Sequence, residues 1–121
     1  MSKTALIVDD SPSMRKMVSH TLRSAGYAVI EGGDGQEGLD QLERSQVDVV
    51  ITDLNMPVMD GLQMITRLRG LPRHRFTPVL MLTTEHTDAK KQAGRAAGAT
   101  GWIVKPFNPQ QLLQIVARVL S

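Results

Sequence analysis

Five side chains in this sequence have chemistries that belong together: Asp9, Asp10, Asp53, Thr83 and Lys105. Each comes at the end of a short apolar run, with Asp9-Asp10 after residues 4–8, Asp53 after 47–52, Thr83-Thr84-Glu85 after 78–82 and Lys105 after 100–104. Three carboxylates held close together disfavour one another's ionisation unless protons or a cation join them. Hard oxygen donors suit Mg²⁺, which takes one or two carboxylates, keeps several waters and accepts phosphate oxygens. Lys105 would add a point charge on a long stem, and the Thr83 hydroxyl can donate to an anionic oxygen. An aspartate nucleophile surrounded by metal, lysine and hydroxyl is equipped to receive a phosphoryl group.

The elements around these residues explain why they would converge. The apolar runs 4–8, 27–31, 47–52, 78–82 and 100–104 read as strands. In the third, Val49-Val50-Ile51 is apolar on successive residues, as in a parallel strand covered on both faces. Amphipathic stretches alternate with the strands. Ser11, Asp34, Asp60, Thr87 and Asn108 are candidate N-caps, and Pro12 and Pro109 sit at favoured first helical positions. Asp34 with Glu37 has the spacing of a capping box. Strict alternation predicts an α/β fold, a doubly wound five-stranded parallel sheet with five helices and right-handed crossovers. In such sheets ligands bind outside the carboxyl ends of the strands, where the five side chains lie.

Asp9-Asp10-Ser11, Asp53, Pro57-x-x-Asp60-Gly61, Thr83 and Lys105-Pro106 occur at intervals of 43 residues from Asp10 to Asp53, 30 to Thr83 and 22 to Lys105. In order and spacing this resembles the response-regulator receiver domain, over the whole chain. Asp10-x-x-x-Met14-Arg15, Asn55-Met56-Pro57 and Thr83-x-Glu85 are most similar to its single-domain chemotaxis members. The resemblance implies a flavodoxin-like sheet of order 2-1-3-4-5 and one receiver domain over residues 1–121 without an output domain. It implies Asp53 as phosphoacceptor from a histidine kinase. Asp10, Asp53 and the Asn55 backbone carbonyl would hold Mg²⁺, with Asp9 reaching it through water. Lys105 would pair with Asp53 and then with a phosphoryl oxygen, and Thr83 and Trp102 would move on activation. Asn55 and Glu85 would flank the approach of hydrolytic water. Pro106 would be cis, and Asp60 and Gly61 would shape the loop after Asp53.

On this reading the chain is a signalling switch and not an enzyme, apart from phosphorylation and dephosphorylation of its own Asp53. Its output partner would be a flagellar motor switch protein, or another output protein, bound at the face of the fourth helix, fifth strand and fifth helix. A phosphatase is a further partner. A stand-alone relay or phosphate sink is the alternative. A Mg²⁺-dependent aspartyl phosphatase would need Asp-x-Asp after the first strand and a capping insert, whereas the pair here is adjacent. A flavin carrier would need a Ser/Thr/Gly-rich phosphate loop where Asp9-Asp10-Ser11-Pro12 stands.

Composition narrows the classes further. There is no cysteine, which removes disulfides, thiolate metal sites and cysteine nucleophiles. No apolar run could span a bilayer, and no secretory leader is evident, so a cytoplasmic monomer is expected. Aromatics are 3%, which disfavours base stacking. Residues 31–60 hold eight acids and one Arg, whereas 61–105 hold eight Lys/Arg and two acids. A nucleic-acid binder more often shows one unbroken basic surface, and no DNA partner is expected.

Taken singly, Asp10 reads as a helix cap, Asp53 as a turn residue and Lys105 as a solvated lysine. His20, His74 and His86 lack ligand spacing and are read as surface residues. Arg67, Arg69, Arg73 and Arg75 read as a solvated loop. The fourth helix offers Ala89, Ala93, Ala96 and Ala97 as its buried side, which predicts weak anchoring. Its outer side would present Lys90, Lys91 and Arg95 to an acidic partner, beside Trp102, which stands where the family usually has Tyr or Phe.

Overall fold

The computed structural model describes residues 2–121. Its elements alternate: β1 (Thr4–Val8), α1 (Pro12–Ser24), β2 (Ala28–Gly32), α2 (Gly35–Arg44), β3 (Val49–Thr52), α3 (Gly61–Arg69), a 3-10 turn (Pro72–His74), β4 (Val79–Thr83), α4 (Asp88–Ala97), β5 (Gly101–Val104) and α5 (Pro109–Leu120). All neighbouring strands are parallel, in the order β2-β1-β3-β4-β5. The predicted fold and strand order are thus observed, with strand ends moved by one or two residues. Among the described residues no helix is long and apolar enough to cross a membrane.

Side chains of successive strand residues point to opposite faces, so each central strand feeds two cores. Leu6, Val8, Val50 and Met81 pack with Leu39 and Leu42 of α2 and with Met64, Ile65 and Leu68 of α3. Ala5, Ile7, Val49, Ile51, Leu80 and Leu82 pack on the other face with Val18 and Leu22 of α1 and with Leu112 and Val116 of α5. The continuous apolar run of β3 is explained by this two-sided burial.

Each α-helix starts just beyond the carboxyl end of a strand, and each start is capped by the expected side chain. Ser11, Asp34, Asp60, Thr87 and Asn108 accept from the backbone N–H of Met14, Glu37, Gln63, Lys90 and Gln111. Such caps contribute about 1 kcal/mol each. The reciprocal box forms at Asp60 with Gln63. At Asp34 it does not: Glu37 Oε1 reaches past the cap and accepts from Gly33 N at 2.8 Å.

Three expectations need correction. His74 is not on the surface; it is 2% exposed. Its Nδ1 lies 3.0 Å from Thr77 Oγ1 and its Nε2 lies 3.2 Å from the Leu42 carbonyl, so both ring nitrogens have partners. The arginines are not all solvated either. Arg69 donates to the carbonyls of His74, Thr77 and Gly98, and Arg73 to those of Leu42 and Glu43. These two cations satisfy carbonyls at the carboxyl ends of α4 and α2, where the helix dipoles are negative. Burial lowers the Arg69 pKa from its ordinary value.

The third correction concerns α4. Ala89, Ala93 and Ala96 are exposed, and Ala97 is half-buried. The only buried residue of the helix is Gly94, with Lys91 and Ala97 half-buried beside it. The helix is rotated by about one residue from the alanine stripe because the Trp102 indole lies beneath it. A Cβ at position 94 would come within 2.6 Å of Trp102 Cζ3.

Candidate functional site

The site is built at the carboxyl ends of β1, β3, β4 and β5. Asp9 follows β1 and is 3% exposed. All of its polar groups are engaged. Its N–H donates to the Gly32 carbonyl at 3.1 Å, Oδ1 accepts from Ser11 N at 2.9 Å and Oδ2 from Lys105 Nζ at 2.9 Å. Its carbonyl accepts from Arg15 Nη1 at 2.5 Å. Asp10, the next residue, is exposed.

Asp53 follows β3. Its Oδ1 accepts from Leu54 N at 2.7 Å and its Oδ2 from Lys105 Nζ at 3.0 Å. The turn after it passes back over the Asp53 backbone, and Gly61 N donates to the Leu54 carbonyl at 2.8 Å. A side chain at 61 would drive its Cβ into the Asp53 carbonyl oxygen, so the close approach of α3 requires glycine there. Asp60 caps the same helix. Asp60 and Gly61 together fix how the Asp53 loop enters α3.

Lys105 follows β5, and its peptide bond to Pro106 is cis. The ammonium bridges Asp9 and Asp53 at 2.9 and 3.0 Å, with 10% of its side chain exposed. Burial by itself lowers its pKa. The hydrogen bonds and charges of Asp9 and Asp53 outweigh that effect and raise the pKa above its ordinary value.

One carboxylate oxygen from each of Asp9, Asp10 and Asp53 lies within 4.8 Å of the others. The predicted convergence of three carboxylates and a lysine is therefore observed. All of these donors are hard oxygens, a set that can hold a divalent cation such as Mg²⁺. Thr83 stands at the end of β4, fully buried. Its hydroxyl accepts from Glu85 N at 3.4 Å, and among the described residues it is not hydrogen-bonded to any of the three carboxylates.

A second set of contacts leads away from the crevice. Asn55 Nδ2 donates to Glu85 Oε1 at 3.0 Å, and Trp102 Nε1 donates to the Glu85 carbonyl at 2.8 Å. Glu85 thus joins the loop after β3 to the indole under α4. Lys91, Arg95, Thr100 and Trp102 line a cleft at this edge. Lys90 and Arg95 are exposed, whereas Lys91 is half-buried. The expected basic face therefore exists, although one of its three charges is partly covered.

Sequence reasoning missed the Trp102 bond to Glu85, the Gly94 seat and the Arg15 bond to Asp9. The only available signals were a glycine interrupting a helix and an arginine one turn into α1, and both are weak.

The chain matches the family model for the response regulator receiver domain over residues 5–117. It is a response regulator receiver. The receiver is similar to a chemotaxis protein CheY homolog of Campylobacter jejuni, 39% identical over 118 residues, covering 96% of this chain and 91% of the relative. It is equally similar to chemotaxis protein CheY1 of Helicobacter pylori, at 39% identity over 96% of this chain and 95% of that one. Among solved structures, chemotaxis protein CheY4 of Vibrio cholerae superposes with a TM-score of 0.96 at 52% identity, over 99% of this receiver and 100% of that chain. CheY-like receivers are generally signalling proteins rather than enzymes.

Proposed function

We propose that this receiver is a phosphorylation-controlled switch. Asp53 takes a phosphoryl group from a phosphohistidine on a histidine kinase, and the altered α4–β5–α5 face then binds its output partner. The observation that carries this is the bridge of Lys105 between Asp9 and Asp53, inside a cluster of three carboxylates at the strand ends. A carboxylate oxygen hydrogen-bonded to a lysine ammonium, beside two further carboxylates that could share a divalent cation, is placed as a nucleophile for phosphorus.

Asp10, Asp53 and the Asn55 backbone carbonyl would hold Mg²⁺, with Asp9 contributing through water. Bound there, Mg²⁺ supplies charge neutralisation for the transferring oxygens. An Asp53 oxygen attacks phosphorus, the O–P bond forms as the N–P bond of the phosphohistidine breaks, and the leaving imidazole takes up a proton. Lys105 stays on the site and pairs with a phosphoryl oxygen. Thr83, now bonded to Glu85 N, turns its hydroxyl to another. That rearrangement reaches Glu85 and, through its carbonyl, Trp102. Asn55 and Glu85 border the path by which water would later hydrolyse the acyl phosphate. The similarity to chemotaxis proteins favours a flagellar motor switch protein as the output partner.

The test is mass spectrometry after incubation with acetyl phosphate. One phosphoryl group is expected with Mg²⁺, and none with chelator or in Asp53→Asn. Unchanged modification of Asp53→Asn would overturn the reading. In a second experiment the fluorescence of Trp102 follows titration with a flagellar switch-protein N-terminal peptide, with and without beryllofluoride. Binding that tightens with beryllofluoride supports the motor output. Activation without peptide binding points to a relay or phosphate sink, and release of phosphate from added esters to a phosphatase. Reversing the charges of Lys90, Lys91 and Arg95 is expected to weaken peptide binding at least tenfold while phosphorylation proceeds at its usual rate.

A further inference from the structure

We infer that Arg15 is a positioning residue for the carboxylate crevice, acting through the backbone of Asp9 and itself held by Glu31. The inference rests on the Mg²⁺ reading above. Arg15 is the fourth residue of α1. Helical side chains lean back toward the N-terminus, so its guanidinium returns to the loop that opens the helix. There Nη1 donates to the Asp9 carbonyl at 2.5 Å, and Nε donates to Glu31 Oε1 at 3.1 Å. Glu31 lies on β2, paired in register with Ile7 of β1. One planar guanidinium therefore ties the edge strand to the first acidic loop, using two donors at once.

The atom it holds matters for Asp10. The Asp9 carbonyl and the Asp10 amide belong to one planar peptide unit. Fixing that oxygen fixes the plane from which the Asp10 side chain departs. Asp10 is exposed and makes no ion pair among the described residues, so the backbone is what aims its carboxylate at Asp9 and Asp53. Arg15 is 22% exposed and Glu31 30%, so solvent does not readily replace the bridge.

Charge and position predict opposite signs. A cation near three carboxylates repels a second cation. If Arg15 acted only as a charge, its loss would tighten Mg²⁺ binding. If it positions the ligands, its loss weakens binding by about tenfold, as when the partners that orient metal ligands are removed. Arg15→Lys keeps the charge but loses the two-donor fork.

The experiment is calorimetric titration of the full chain with Mg²⁺, with circular dichroism of each variant to verify the fold. Arg15→Gln, Arg15→Lys and Glu31→Gln are all expected to bind Mg²⁺ more weakly. Glu31 also pairs with Arg23 Nη2 at 3.7 Å, but that contact does not touch the Asp9 loop, so the double variant Arg15→Gln/Glu31→Gln should bind Mg²⁺ no worse than Arg15→Gln alone. Mg²⁺ affinity in Arg15→Gln equal to or above that of the unaltered protein overturns the inference, as does full affinity in Arg15→Lys. Asp53→Asn serves as the reference. If it weakens Mg²⁺ binding and Arg15→Gln does not, only the inference falls. If the unaltered protein shows no saturable Mg²⁺ binding, the site reading falls and the inference falls with it.

Discussion

At the scale of single residues, the site is charge-rich and partly strained. Val58 has φ of 68°, and Met59 N donates back to the Pro57 carbonyl at 2.7 Å, which makes a three-residue turn with a β-branched residue on the positive-φ side. Its side chain is exposed, so packing gives no compensation there. Val58→Gly is expected to raise stability by about 1 kcal/mol, read from the urea midpoint, since positive φ costs a non-glycine residue 1–3 kcal/mol and glycine returns part of that as chain entropy. Asp10→Asn removes one of three crowded carboxylates, so it should raise the melting temperature of the metal-free protein and abolish most of the increase that Mg²⁺ produces in the unaltered one. Lys105 has a folded pKa raised above its ordinary value, so its ion pairs contribute in full below the ordinary value and fade as pH climbs through the raised one. The melting temperatures of the unaltered protein and Lys105→Met should therefore differ throughout the neutral range and converge only under strong alkali. Asp10, Asp53 and Lys105 were legible in the sequence because each follows an apolar run and the strand ends of a parallel sheet meet. Arg15 was not, because an arginine on a helix usually faces solvent and its target is a backbone oxygen.

At the scale of elements, the five helix starts were legible because capping depends on one side chain and a local backbone turn. The seating of α4 was not. Its sequence offers an alanine stripe, and periodicity assigns the smaller apolar residues inward. The indole from β5 reverses that preference, because only a residue without a side chain fits over it. Gly94→Ala tests the point against intrinsic propensity. In an unobstructed helix this change stabilises by up to about 1 kcal/mol. Here it is expected to destabilise, shift the Trp102 emission and lengthen the bond to the Glu85 carbonyl. Adding Trp102→Phe should recover the propensity gain. A simple stabilisation by Gly94→Ala with unchanged emission would show that α4 can lift off the indole without penalty.

At the scale of the whole molecule, the two ends of the sheet are built differently. The carboxyl ends of the strands carry loops with unbalanced charge, and the opposite end is tied by arginine. Arg69 gathers three carbonyls from the end of α4 and from the connection between α3 and β4. Arg69→Met should cost more than about 2 kcal/mol of unfolding free energy, because several carbonyls lose a charged donor, whereas exposed Arg67→Met should stay within about 0.5 kcal/mol. Nothing in the charge layout along the chain marks this division. Arginines clustered around a proline look like a solvated loop until the ends of α2 and α4 are brought beside them.

That division sets how α4 can move. Its last turn is clamped through the Gly98 carbonyl and seated at Gly94, while its first turn is held by the Thr87 cap and the half-buried Lys91. A rod held at its last residue can swing but cannot slide, so under the proposed switch a change passed through Glu85 would displace the first turn of α4 most, about a fulcrum at the Gly98 clamp. Hydrogen exchange along the helix should accordingly be graded, fastest near Lys90 and slowest near Gly98, and activation should steepen the free end's share of the change while leaving the fulcrum still.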